Sequence, residues 1–406
     1  MRPNARNLST QDLPPQPFFQ TPEQRAALAR QRFFEEQQHP AGLVSDAVIR
    51  SWGRSRSLGH SSHKLPALDP VSRSALSAAL ARNRRLLEAA HSDLQQLEAT
   101  LAGTASRLML TDAAGVIVHV SRGTGDPQQK VLDVATRVGV NLAEEVLGTT
   151  APGIVVQTGM ACTVQCGEHF YELFGGVRCA AAPIRDVAGR LVGVLDVSTE
   201  ARGFGFDAAA VVGVYATSIE NRLLQAQSDQ HLVLHFQAAP ALLGTPLEGL
   251  AGVDSHGRVA WLNATGHSLL GRSSRQGSGA VDELFGADLD RLVALCGSSD
   301  AQRMQLPSGL GIWVRGAMRS NDGVDFRHAV AWSAAPEAAL ETAPAPPTST
   351  DTPEPDSDPV ADGAPSLAQA QQHLIEDTLK THGGNVARTA RQLGVSRGLV
   401  YRHLRR

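Results

Sequence analysis

Lysine and cysteine are scarce in these 406 residues, and no long apolar run occurs. The three lysines are Lys64, Lys130 and Lys380, and none follows a glycine, which excludes the nucleotide-binding loop G-x-x-x-x-G-K-[ST]. Four cysteines are too few for a disulfide framework in a chain of this length. No apolar run reaches the roughly 18 residues of a membrane span, and the N-terminal segment lacks a secretion signal. We therefore expect a cytoplasmic protein with reduced thiols and no membrane partner.

Sequence patterns of common enzymes are also absent. The chain contains no H-E-x-x-H, and its scattered carboxylates define no catalytic pair. We expect no catalytic residues, no cofactor and no enzymatic activity. The net charge of −3 excludes a protein that coats nucleic acid along its whole length, so any basic character must be local.

The composition changes sharply towards the C-terminus. Residues 336–365 hold eight prolines and seven acidic residues without a lysine or arginine. Residues 368–406 hold seven lysines and arginines against two acidic residues. The first pattern predicts an extended linker over 336–366, because such a segment cannot bury enough apolar surface to fold. The second predicts a basic nucleic-acid-binding module over 367–406.

This basic module has the turn residues of a three-helix, all-α helix-turn-helix. Gly383 and Gly384 end a first helix, and Asn385 can cap a second. Gly394 supplies the tight turn that this motif needs before a third helix, which Ser396 can cap. The third helix is expected to enter the major groove of double-stranded DNA.

Arginines dominate the face expected to contact DNA. Arg397 can pair with the two acceptors of guanine, while Arg402 and Arg405 suit phosphates. The complete set of expected DNA-binding residues is Arg388, Thr389, Ser396, Arg397, Gly398, Tyr401, Arg402 and Arg405.

Capping residues in the N-terminal region predict helices. Residues 1–68 are expected to form a helical arm, in which Thr21 can cap one helix and Ser45 another. A long helix is expected from Asp69–Pro70 onwards, with leucines every seven residues at 80, 87, 94 and 101. Two interpretations stay open: a dimer seam, or a helix that packs on its own domain.

Short β-branched runs separated by turns predict two α+β domains. Residues 106–200 contain D-A-A-G (112–115) and D-V-A-G (186–189) between apolar runs, which is a hairpin signal. With flanking helices, this predicts a domain over 69–228. Residues 230–335 show the same pattern of short apolar runs around a turn, here D-S-H-G. The pattern predicts further strands at GIWVRGAMRS and at 326–334.

Several of these segments resemble a known family. GGNVARTARQLGVSRGLVYRHLRR resembles the Fis-type helix-turn-helix of bacterial sigma-54-dependent regulators. SDAVIRSWGRSRSLG, VLGTTAPGIVVQTGMACTVQCGEHF and CAAAPIRDVAGRLVGVLDVS are similar to the sensory region of acetoin-catabolism activators. The resemblance implies a GAF domain over 69–228, with Glu168, His169 and Arg178 as candidate ligand-binding residues in its cavity. The interval 230–335 resembles a diverged PAS domain.

One part of that family pattern is missing. These regulators normally carry an AAA+ ATPase between sensor and DNA-binding module, and the lysine positions exclude its nucleotide loop. The resemblance therefore implies a regulator that acts without ATP hydrolysis, with RNA polymerase or a full-length relative as a further partner.

The cysteines leave a different class of function open. Cys162, Cys166, His169 and Cys179 have residue types that suit zinc or iron, although their spacing fits no compact zinc pattern, and no metal site is assigned. The alternative is thus a metal- or redox-binding sensor that acts through protein contacts, with a vestigial DNA-binding tail. The favoured interpretation is an α+β multidomain regulator that binds DNA as a homodimer and senses an unknown small molecule.

Overall fold

The structure is a computed structural model that describes residues 21–123, 126–272, 279–298, 300–318 and Lys380. The expected linker, the helix-turn-helix apart from Lys380, and the strand expected at 326–334 lie outside the described residues.

Two helices of the N-terminal arm begin at the caps predicted from the sequence. Thr21 accepts a hydrogen bond from the backbone N–H of Gln24 at the start of α1 (Pro22–Arg30), which continues into a π-helical turn, Gln31–Glu35. Ser45 caps α2 (Asp46–Ser57), whose Trp52 is fully buried. Both predicted caps are confirmed.

The prediction of one long helix from residue 69 onwards is wrong. The chain forms α3 (Arg73–Arg82) and α4 (Arg84–Leu101), which are separated at Asn83. The side-chain amide of Asn83 donates to the carbonyl of Ala79 at 2.8 Å, so Asn83 competes with the backbone for a helical acceptor.

Five antiparallel strands form the first sheet, in the order β2-β1-β5-β4-β3. The central strand is therefore the last in sequence. The strands are β1 (Ser106–Asp112), β2 (Ile117–Val120), β3 (Cys162–Gln165), β4 (Val177–Arg185) and β5 (Leu191–Glu200).

Helices cover both faces of this sheet. One face packs against α4 and α8 (Ala208–Ala226). The other packs against α2 and the short helices α5 (Lys130–Ala135), α6 (Glu144–Leu147) and α7 (Ala151–Thr158). Leu94 and Leu101 of the seven-residue repeat are buried in the first of these cores, and Leu80 and Leu87 pack against it. The structure thus favours packing of the repeat on its own domain.

A second antiparallel sheet follows, in the order β8-β7-β6-β10-β9. The central strand of this second sheet, β6, is the first of its five strands in sequence. The central strand of the first sheet, β5, is the last of its five. The strands are β6 (Leu232–Gln237), β7 (Gly249–Val253), β8 (Val259–Leu262), β9 (Gln302–Gln305) and β10 (Gly311–Met318). The accompanying helices are α9 (Ala264–Leu269), α10 (Val281–Phe285) and α11 (Leu289–Ala294).

The α+β class and the predicted hairpin turns are confirmed. In the turns at 112–115 and 186–189, the aspartate accepts hydrogen bonds from two backbone N–H groups, and the glycine has positive φ. The same arrangement recurs at Asp254 and Gly257 between β7 and β8. Strands β6 and β9 were not expected from the sequence. Within the described ranges, no helix is long and apolar enough to cross a membrane.

The hairpin glycines provide a matched test of the first sheet. Gly115 (φ 81°) has the backbone nitrogen of Ala143 at 2.8 Å from the position of an added Cβ, whereas Gly189 (φ 72°) has nothing within 4 Å. We expect Gly189→Ala to lower the free energy of unfolding by about 1 kcal/mol through backbone strain alone. Gly115→Ala should cost roughly 1–3 kcal/mol more because it also crowds the segment before α6. Urea unfolding of both variants measures the difference; equal losses would contradict the close approach.

Candidate ligand-binding cavity

A small cavity lies on the face of the first sheet opposite α4 and α8. Its volume is about 30 Å³, which is room for roughly two water molecules. Most of its lining is apolar, including Met109, Leu147 and Phe174. The polar side chains that line it are Thr136, Thr150, His169, Cys179, Asp196 and Ser198.

Four of these polar side chains form a continuous chain of contacts. Asp196 and Ser198 lie two residues apart on β5 and thus face the same side, and Cys179 is the β4 partner of Ser198. Ser198 Oγ lies 2.6 Å from Asp196 Oδ2 and 3.0 Å from Cys179 Sγ. Cys179 Sγ lies 3.5 Å from His169 Nε2, and His169 Nδ1 lies 3.0 Å from the carbonyl oxygen of Cys166.

The order of donors along this chain can be worked out. The Cys166 carbonyl only accepts, so His169 carries its proton on Nδ1 and its Nε2 is an acceptor. Cys179 can donate its S–H to that nitrogen, which leaves the Ser198 hydroxyl to donate to Asp196. In this arrangement no proton lies between Ser198 and Cys179, so the chain consists of two hydrogen-bonded pairs, Cys179 with His169 and Ser198 with Asp196, in contact at 3.0 Å.

One atom of the chain is not used. Asp196 is completely buried, and its Oδ1 has no hydrogen-bond partner in the structure. Burial raises the pKa of Asp196 from 3.8 to about 7, against the opposing effect of the Ser198 hydroxyl. A buried polar atom without a partner is costly, and Asp196 is one of the residues that line the cavity.

The N-terminal arm holds the segment that carries His169. The guanidinium of Arg30 donates to the carbonyls of Gly167, His169 and Phe170 at 2.6 to 3.3 Å. The indole N–H of Trp52 donates to the carbonyl of Glu168 at 2.8 Å. The arm therefore fixes the backbone on both sides of a cavity residue.

The three candidate ligand residues from the sequence lie in different places. His169 lines the cavity, and its complete burial lowers its pKa to about 4, so it is neutral. Glu168 is half-buried, and its carboxylate accepts from the backbone N–H of Gln165 at 2.8 Å. Arg178 pairs with Glu23 of α1 at 3.1 Å. Neither Glu168 nor Arg178 is among the cavity-lining residues.

The cysteines have the environment of buried thiols. Burial raises the pKa of Cys162 to about 12 and raises the pKa of Cys166 and Cys179 as well. Reactive thiols and metal ligands need the thiolate form, which this environment disfavours. Within the ranges that the structure describes, no group of three or more histidine, cysteine, aspartate or glutamate residues is placed to hold a metal.

Sequence reasoning missed Asp196, Ser198 and Arg30. The first two had a signal, because D-V-S interrupts the otherwise apolar β5 with polar residues at positions i and i+2. Arg30 had none, since it contacts carbonyls about 140 residues further along the chain.

Family models match both ends of the chain. Residues 21–222, which include the first sheet and its cavity, match the model described as MimR, N-terminal domain. Residues 366–406 match the model described as Bacterial regulatory protein, Fis family. The class is thus that of bacterial regulatory proteins with a C-terminal Fis-type helix-turn-helix. Within that class, the N-terminal domain is similar to that of MimR-type regulators, and the expected family resemblance is confirmed.

Curated relatives agree with this assignment. The propane 2-monooxygenase operon transcriptional activator MimR of Mycolicibacterium goodii is 27% identical over 305 residues, 74% of this chain and 48% of the relative. The acetoin catabolism regulatory protein of Cupriavidus necator is 30% identical over 182 residues, 44% of this chain and 27% of the relative. The chain spans about half the length of the MimR protein that it matches.

Among solved structures, the Escherichia coli DhaR(N)–DhaL complex contains a similar chain. It is 15% identical, covers 66% of this chain and 98% of its own, and has a TM-score of 0.42. A similarity at this level carries no argument about function.

The buried carboxyl group predicts a pH-dependent stability. The folded-state pKa of Asp196 is raised above 3.8, so the folded protein binds a proton that the unfolded chain releases, and stability falls as pH rises from about 4 to about 7. Asp196→Asn removes this titration. The variant should therefore gain stability over the wild type across that window, by up to roughly 4 kcal/mol, with no further change above pH 7.

Urea unfolding of both proteins between pH 4.5 and 8 measures this difference. Titration of His169 is common to both proteins and cancels in the comparison. Parallel stability profiles would contradict a proton held on Asp196.

Proposed function

We propose that this chain is a DNA-binding transcriptional regulator whose first-sheet domain senses a small molecule. The observation that carries the proposal is the combination, in one chain, of a Fis-family match at 366–406 with a cavity lined by the buried Asp196, whose Oδ1 has no hydrogen-bond partner. The names of the curated relatives, an operon activator and a catabolism regulatory protein, support the regulatory role.

The proposed division of labour follows the domains expected from the sequence. Residues 69–228 act as a GAF-like sensor, with residues 1–68 as an arm that holds its cavity segment. Residues 230–335 act as a PAS-like domain, 336–366 as a linker and 367–406 as the DNA-binding domain. His169 is retained as a proposed ligand-site residue, while Glu168 and Arg178 are proposed to act at the rim through their contacts with neighbouring segments.

On the DNA side, Arg397 is proposed to contact base edges. Arg388, Arg402 and Arg405 are proposed to contact phosphates, which set affinity and its salt dependence. Because a single module of this size buries little DNA, we propose a homodimer that contacts two half-sites.

The regulator is proposed to work in the cytoplasm without ATP hydrolysis. The second sheet, Leu232–Met318, occupies the interval where the family resemblance would place an ATPase, and no lysine of the chain follows a glycine. Ligand binding would then tune DNA occupancy directly, with RNA polymerase or a full-length relative as the downstream partner.

Genome-wide DNA occupancy at one stated salt concentration tests the DNA-binding role. We expect discrete peaks for the wild type and their loss in an Arg397→Ala, Arg402→Ala double variant, because each change removes a base or phosphate contact. An Arg84→Ala, Arg291→Ala double variant removes the same charge at exposed positions outside this module and should keep the peaks. Peaks absent from the wild type, or unchanged in the first variant, would overturn the proposal.

A further inference from the structure

The central strands of the two sheets follow one another in the chain and are joined by a single helix. Strand β5 ends at Glu200, α8 spans Ala208–Ala226, and β6 begins at Leu232. The short connection from α8 to β6 is held by hydrogen bonds, in which the hydroxyl of Ser228 donates to the carbonyl of Leu224 at 2.7 Å. Helix α8 therefore leads directly into the centre of the second sheet.

The C-terminal half of α8 is attached to the first sheet. Leu223 is buried in the core between this helix and the sheet. The carboxylate of Glu220 accepts a hydrogen bond from the backbone N–H of Arg185 at 2.8 Å, and the side-chain carbonyl of Gln227 accepts from that of Val187 at 3.2 Å. Arg185 and Val187 lie where β4 turns into β5, so these bonds connect the helix to the hairpin that contains the central strand.

An apolar cluster joins the same half of α8 to the second sheet. Its members are Leu224 of α8, Val187 of the turn between β4 and β5, and Val233, Leu250 and Trp261 of the second sheet. Leu224 and the three second-sheet residues are buried. Separation of the two sheets would expose this apolar surface to water, which is unfavourable.

Trp261 occupies space that a missing side chain leaves free. Gly252 on β7 pairs with Trp261 on β8. A Cβ added to Gly252 would lie 2.0 Å from Nε1 of Trp261, a distance at which the indole must move away. Glycine at this position therefore lets the indole lie close to the sheet and pack against Leu224 and Val187.

A pair of buried amides adds a polar contact beside this cluster. The side-chain N–H groups of Asn263 donate to Oδ1 of Asn221 on α8 and to the carbonyl of Glu248, both at 2.9 Å. Its Oδ1 accepts from the backbone N–H groups of Leu250 and Gly266 at 2.9 and 2.7 Å. These four bonds use the full capacity of the amide, so the loss of Asn221 leaves a buried donor unsatisfied.

We infer that these contacts form a joint that couples the two sheets, so that loosening of the first-sheet core also loosens the second sheet. The joint consists of Val187, Asn221, Leu224, Gly252, Trp261 and Asn263. If α8 moves away from the first sheet, Asn263 loses a partner and the apolar cluster loses Leu224, so the second sheet is destabilised at a distance. This inference goes beyond the proposed function, because it concerns how one sheet responds to the other and requires neither ligand nor DNA.

Hydrogen–deuterium exchange of the full chain, followed by mass spectrometry, tests the coupling. Val197→Ala removes two methyl groups from the first-sheet core, away from the joint. We expect it to speed exchange of the β6 and β7 amides about tenfold, as well as exchange in the first sheet. In an Asn221→Ala background, the same change should alter exchange in the second sheet by less than about twofold relative to that background.

Two further variants sharpen this test. Gly252→Ala displaces the indole of Trp261 from the opposite side of the joint, without a change on α8, and should abolish the transmitted effect in the same way. Gly213→Ala is the matched control on α8, because no described atom lies within 4 Å of its added Cβ, and it should keep the transmitted effect. Leu195→Val is a milder change in the same core and replaces Val197→Ala if that variant does not fold.

Three results would overturn the inference. The first is exchange of β6 and β7 that stays at wild-type rates when the first-sheet core is loosened, since the sheets would then be independent. The second is a transmitted effect that survives both Asn221→Ala and Gly252→Ala. The third is its loss in Gly213→Ala, since the effect would then not depend on the joint. DNA occupancy is measured with Arg397 and Arg402 variants, so the proposed function stands or fails separately.

Discussion

The central strand β5 is the element on which the first domain depends. Residues 193–199 are buried without interruption because helices cover both faces of the sheet. On one face Leu195 and Val197 pack against α4 and α8, as an apolar core requires. Because side chains alternate along a strand, Asp196 and Ser198 must face the other way, into the cavity. The alternation that stabilises one core thus places a carboxyl group where water is scarce.

Helix α8 links this strand to the rest of the described chain. Ile219 and Leu223 pack on the first sheet. Between these two residues, Asn221 reaches the segments that flank the second sheet: its side chain donates to the carbonyl of Pro246 before β7 and accepts from the buried amide of Asn263 after β8. A displacement of α8 would therefore disturb hydrogen bonds beside the second sheet as well as packing on the first.

Local features of this fold were predictable, and long-range ones were not. The hairpin turns followed from Asp and Gly at fixed offsets, since their side-chain and backbone requirements are local. The break at Asn83 was missed because its sequence period continues through it and only a side-chain bond to Ala79 marks it. The cavity depends on the register that sets Asp196 beside Met109 and Ala181, and register is fixed by pairing between distant strands.

Burial decides whether the cysteines form a thiolate site for a metal or a neutral part of the cavity wall. In the sequence, Cys162, Cys166, His169 and Cys179 suit a metal or a redox centre, both of which need thiolates. Burial disfavours the charged form of each of these groups and of Asp196. Cys179 and His169 become a neutral hydrogen-bonded pair that packs against Ser198, while Asp196 Oδ1 is left without a partner. A wall of neutral groups is poorly suited to electron transfer or to holding a cation.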